Sequence, residues 1–137
     1  MPAKITSIIV CDDVRKEITG KDILIGVYSG TINVSAYPVT FPIALWFEIE
    51  PDEAGDLNCG VKIETPSGNP PIQAEVTIHV QEVETAVFVL GGVPMSVERD
   101  GDLIISVKFG KEDWMEVKRK KVQRQAFPMQ PPLVQQG

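Results

Sequence analysis

The chain has 137 residues, 43% of them hydrophobic and 23% charged, and a formal net charge of −6. That length suits one domain with a core of its own, and the composition excludes wholesale disorder. Net acidity disfavours a nucleic-acid partner, and every apolar run falls short of the ~18 residues a membrane helix needs.

Period-2 alternation recurs from end to end, and a sustained helical period is absent. Met1-Pro2-Ala3-Lys4 leads straight into a strand pattern with no apolar signal region, so a cytoplasmic location with reduced thiols is expected. Cys11 and Cys59 both lie in apolar runs and read as buried small hydrophobes. A disulfide between them would require their strands to lie side by side.

The first strand is expected over Lys4 to Cys11. A charged connector then turns at Gly20, and a second strand starts near Lys21 and continues to Val34, interrupted at Gly26 and Ser29-Gly30. Glycines inside such a run let one strand bend and serve two sheets. Pro38 and Pro42 lack ladder donors, which argues against a central strand over Tyr37 to Pro42. Ile43 to Glu50 alternates strictly. Ile43, Leu45, Phe47 and Ile49 are expected inward, and Ala44, Trp46, Glu48 and Glu50 outward.

Pro51 to Asp56 reads as a hairpin turn into a partner strand whose Leu57, Cys59, Val61 and Ile63 face inward, which would set Asn58 or Lys62 beside Trp46. Pro66 to Pro71 is a turn cluster, followed by a strand over Ile72 to Gln81. Val83 to Leu90 is apolar on both sides and reads as an interior strand, with a short helical turn near Glu82 to Ala86 as the alternative. Gly91-Gly92 breaks it and reads as a bulge. Asp100-Gly101 is a strong hairpin signal, after which Leu103, Ile105, Val107 and Phe109 face inward. Trp114 to Val122 makes a last, lysine-bearing strand suited to a sheet edge.

These elements predict an all-β fold, a two-sheet antiparallel β-sandwich of seven to nine strands, with a small β-barrel as the alternative. One domain covers residues 1–124, and the Pro/Gln-rich residues 125–137 are expected to form a disordered tail. The pattern Cys11-Asp12-Asp13-x-Arg15-x-Glu17-x-x-Gly20-Lys21, closing on Ile25-Gly26-Val27-Tyr28, resembles a family of short uncharacterised bacterial and phage proteins over residues 4–122. The resemblance implies a small β-sandwich domain and supplies no activity or site residues.

Chemistry-bearing patterns are few. The single histidine, His79, stands mid-strand on a polar face, away from any nucleophile motif. One His and two distant Cys do not make the usual zinc set. An enzyme is therefore not expected, and a hydrolase built on carboxylates ranks last. No cofactor is implied.

Asp12-Asp13, Asp52-Glu53-Asp56 and Asp100-Asp102 fall in predicted loops. Their convergence on calcium is a disfavoured alternative to ordinary turn chemistry. Residues 1–102 carry a net −10 and residues 103–137 a net +4, with the bases gathered at Lys118-Arg119-Lys120-Lys121. Alternation on a strand sends neighbouring bases to opposite faces, so this run is no phosphate stripe.

What remains is a binding or protein-interaction module. Its partner would be an unidentified protein or a second copy of the chain. A structural component of an assembly, phage-related in the sense of the resemblance, is the alternative. Two stretches are candidates for the contact. One is the outward face of Ile43 to Glu50, where Trp46 would offer a large amphipathic area flanked by Ala44 and Glu48. The other is the mixed-charge connector with Asp12, Asp13, Arg15, Glu17 and Lys21, for which a salt-bridged strand connector is the preferred reading.

Overall fold

A computed structural model describes residues 2–125. Nine strands form two sheets: β1 (Ala3–Lys16), β2 (Asp22–Val27), β3 (Thr31–Val34), β4 (Val39–Pro51), β5 (Gly55–Glu64), β6 (Ile72–Val80), β7 (Ala86–Val97), β8 (Gly101–Phe109) and β9 (Met115–Arg124). The first sheet has the order β2-β1-β4-β7 and the second β3-β9-β8-β5-β6. This is the expected sandwich, with one departure from an all-antiparallel arrangement: β3 pairs parallel to β9. The predicted tail lies outside the described residues, apart from Gln125. Among the described residues no helix is long and apolar enough to cross a membrane.

The core is the facing set of alternating side chains. Ile43, Leu45, Phe47 and Ile49 of β4 meet Leu57, Cys59, Val61 and Ile63 of β5 and Leu103, Ile105, Val107 and Phe109 of β8 within one buried cluster. Phe47 stacks on Phe88 with ring centroids 4.5 Å apart, an arrangement worth about 1 kcal/mol beyond burial alone. Cys11 and Cys59 are buried free thiols in different sheets.

Connectivity departs from the predicted hairpins at two places. β4 and β5 lie in opposite sheets, so Pro51 to Asp56 is a crossing between layers. β7 and β8 are likewise split, which removes the Asp100-Gly101 hairpin. Gly101 does not have the positive φ that a type I′ turn demands. It is there for space, because a Cβ on it would sit 2.6 Å from Pro66 Cβ. Turn residues mark a change of direction, and a crossing uses them as readily as a hairpin does.

Four strand assignments also change. The lysine-bearing last strand, expected at a sheet edge, is β9 and lies between β3 and β8. β1 does not stop at Cys11 but runs to Lys16, exchanging its β4 partner for β2 beyond that point. Because β1 leaves β4 at Ala44, residues 39–43 of β4 have β7 alone as a described neighbour, and Pro42 is tolerated inside a strand otherwise central to its sheet. Val83 to Leu90 is not interior: β7 is an edge strand with Val87 and Val89 exposed, and it is preceded by bends instead of a helical turn. Its two-sided apolar character reflects an apolar outer surface. The expected double service of the Lys21–Val34 run holds, with β2 in one sheet and β3 in the other.

Candidate functional site

The two stretches singled out in the sequence meet at one point, where Lys21 and Asp22 come to Trp46. Ile9 of β1 pairs with Trp46, and Lys16 of β1 pairs with Asp22. On a straight strand the step from Ile9 to Lys16 would span ~23 Å. Yet Trp46 Nε1 donates to Asp22 Oδ2 at 3.0 Å. The β1–β2 hairpin therefore curves back to the outer side of the first sheet, and its far end stands over the indole. A cleft of about 510 Å³ remains there, lined by Lys16, Lys21, Asp22, Leu24, Trp46 and Val87.

Part of the expected surface is overturned. Ala44 is fully buried instead of leaving open room beside the indole, and Trp46 is half-buried. Cys11, the cross-strand neighbour of Ala44, is equally sealed; its Sγ donates to Asp13 O at 3.4 Å, and burial pushes its thiol pKa up. Glu48 accepts from Thr6 Oγ1 at 2.9 Å on the same side. Asn58 and Lys62 are not near Trp46, because β5 belongs to the other sheet. Lys62 instead stands over Trp114, its Nζ 4.8 Å from the ring, with Lys108 at 5.3 Å. The Trp114 indole lies across Gly60, where a Cβ would meet it at 3.1 Å.

The charged connector is a set of local ion pairs on a strand hairpin, as its second reading had it. Arg15 meets Asp13 at 2.8 Å, Lys16 meets Asp22 at 2.8 Å, and Lys21 meets Glu17 at 3.3 Å. The Lys16 ammonium, and after it the Trp46 N–H, hold the Asp22 carboxyl below its ordinary pKa; Arg15 does the same for Asp13.

Asp12 and Asp13 lie on β1, not in a loop, and the acidic groups do not converge. No group of three or more His, Cys, Asp or Glu among the described residues is arranged to hold a metal. Asp56 takes His79 at 2.6 Å and Asp102 takes Arg119 at 2.7 Å.

Asp12 belongs to a second constellation. Its Oδ1 accepts from the Tyr28 hydroxyl at 2.6 Å, and its carboxylate lies over Gly26, which has φ of +68° and leaves no room for a Cβ. Burial, then the carboxylate, raises the Tyr28 pKa. Both residues border a cleft of about 430 Å³ where β3 of one sheet faces the start of β4 of the other.

With this geometry in view, residues 6–118 match a family of unknown function, DUF6941. The chain belongs to that family. The match includes the Cys11–Tyr28 pattern and nearly the whole sandwich, and it carries no activity. No curated protein matches the chain.

Two parts of the site were missed in the sequence. Asp22 has an ordinary strand-start setting, and nothing local marks it as the partner of a tryptophan 24 residues away. The residue types of Val83 to Leu90 read as an interior strand; that Val87 and Val89 are exposed depends on what packs over the outer face of β7, which only the fold decides.

Proposed function

We propose that the chain is a non-enzymatic protein-interaction module whose contact surface is the outer side of the first sheet with its curved hairpin. One observation carries this reading. Of the eight exposed large hydrophobic side chains among the described residues, seven lie on that sheet, its hairpin tip or the bend leading into β7: Ile18, Ile23, Ile25, Val27, Val83, Val87 and Val89. The second sheet contributes Met115 alone. Its outer side carries instead the Lys62–Trp114–Lys108 stack and the Arg119–Glu116 and Arg119–Asp102 ion pairs. Apolar side chains concentrated on one side of a domain, rimmed by charge, are the surface character of a partner contact. Trp46 adds a half-covered aromatic anchor at its centre.

The test is capture of partners from source-cell lysate by tagged chain, with Val87→Lys/Val89→Lys as the comparison. These exposed changes are expected to shift stability by no more than about 0.5 kcal/mol. A partner held by the unaltered chain and lost from the double variant supports the reading. Identical capture by both refutes it.

A second reading rests on β2. Ile23, Ile25 and Val27 stand exposed on an edge strand, the setting in which chains pair with copies of themselves. That favours a structural component of an assembly, phage-related in the sense of the resemblance. A closed oligomer or filament in light scattering, dispersed by Ile25→Lys, would give this reading precedence.

A further inference from the structure

Among the described residues the sandwich is open along one seam: β3 is paired with β9 alone, and β4 over residues 39–43 is paired with β7 alone, since β1 leaves it at Ala44. The free backbone groups can be assigned from the pairing. Gln125 N–H donates to Val34 O at 2.8 Å, so Val34 turns its carbonyl toward β9. By strand alternation Ile32 points the same way, and Thr31 and Asn33 present their amides and carbonyls to the open side. On β4, Pro42 stands directly opposite Pro94. Neither has an N–H, so this is a pair without mutual hydrogen bonds, and Thr40, two residues away, likewise aims its backbone groups away from β7.

Between these edges lies the cleft of about 430 Å³, with Ile32, Val34, Val39 and Phe41 on its apolar sides and the Asp12 carboxylate at its rim. Among the described residues Asp12 is the one charged residue lining it, and its carboxylate is held in place by the Tyr28 hydroxyl. A free strand edge beside an apolar trough matches the chemistry of an added strand, in which main-chain bonds supply affinity and alternate side chains supply selectivity. A negative rim favours a basic residue.

We propose that this seam accepts an extended peptide segment of a partner protein, added as a strand beside β3, with an apolar side chain entering the cleft and a lysine or arginine meeting Asp12. The site is separate from the outer surface of the first sheet.

The test pans a phage-displayed library of random linear peptides against the immobilised full chain and resynthesises the enriched sequences. Expected are peptides that alternate apolar residues and carry a basic one, and that slow amide exchange at Thr31 and Asn33 when bound. Asn33→Pro deletes the outward donor while leaving the Ile32 and Val34 bonds to β9. It should weaken binding about tenfold, as a partner carbonyl loses its hydrogen bond. Asn33→Ala keeps the donor and should bind as the unaltered chain does. Asp12→Asn should weaken the basic peptides by a few-fold, in line with an exposed charge pair. Val87→Lys/Val89→Lys should leave peptide binding unchanged, which separates this proposal from the outer-surface reading.

The proposal is overturned if no sequence is enriched, or if Asn33→Pro, shown folded by circular dichroism, binds normally. Should that variant fail to fold, the exchange data on the unaltered chain decide: protection confined to residues away from Thr31 and Asn33 overturns it. Protection without peptide also overturns it. Protection that grows with protein concentration would give the seam to a second copy; protection lost on removing residues 126–137 would give it to the chain's own end.

Discussion

Replacing Gly26 with alanine puts two separable physical effects at one position. At φ of +68° an alanine is held in the left-handed region, at a cost of about 1–2 kcal/mol. Its Cβ would also stand 2.2 Å from Asp12 Oδ2, so the carboxylate must move and its 2.6 Å bond to the Tyr28 hydroxyl must go. That bond, partly exposed, contributes about 1 kcal/mol. Gly26→Ala should therefore cost about 2–3 kcal/mol, and Asp12→Ala about 1 kcal/mol. In the double variant the bond can be lost only once. The two effects should then fall short of additivity by about 1 kcal/mol. Any stabilisation from reduced freedom of the unfolded chain appears in both backgrounds and cancels. Urea unfolding of the four proteins measures the cycle, given equal slopes. Additivity within about 0.5 kcal/mol would refute the claim that Gly26 exists to seat the Asp12 carboxylate.

In a Trp114→Phe background the half-buried Trp46 should emit between the extremes of core and solvent tryptophan, and Asp22→Ala should shift it red and raise its quenching by iodide; unchanged quenching would show that the hairpin does not cover the indole. Hydrogen bonds from Arg15, Lys16, Tyr37 and Arg119 hold Asp13, Asp22, Asp100 and Glu116 below their ordinary pKa values. Depressed folded-state values mean that the unfolded chain binds protons first. This stability is complete above the unfolded carboxyl range near pH ~4 and is lost as pH falls through and below it. The urea midpoint should drop between neutral and strongly acid buffer, less so in Asp22→Asn, and a midpoint indifferent to acid would contradict the assignment. Burial pushes the Cys59 thiol up to about 11 and raises Cys11, so both should resist a disulfide reagent at mildly alkaline pH until denaturant is added. Rapid labelling of the folded chain would refute their burial.

The sequence by itself determined the fold class and the inner faces of the strands. Alternation is a local property, and one buried face per strand is enough to orient Leu57, Cys59, Val61 and Ile63, or Leu103, Ile105, Val107 and Phe109, toward a common core. It also marked Gly26 and Gly30 as the point where one run divides between two sheets, because a bend leaves a local trace in residue type.

Only the tertiary structure decided which strands are neighbours. Pro, Gly and Asp end strands without recording whether the next strand returns in the same sheet or crosses to the other, and β4–β5 and β7–β8 do the latter. The outer surfaces follow from that order and from what rests on each face: Val87 and Val89 are exposed because no described element covers them on the outer face of β7, and among the described residues the seam is open because β1 leaves β4 at Ala44. The curvature of the β1–β2 hairpin was equally illegible. It joins Asp22 to Trp46; Ala44, whose alternation with Leu45 puts it on the outer face, is buried all the same. Alternation assigns a face, but whether that face meets water depends on what else in the fold comes to rest against it.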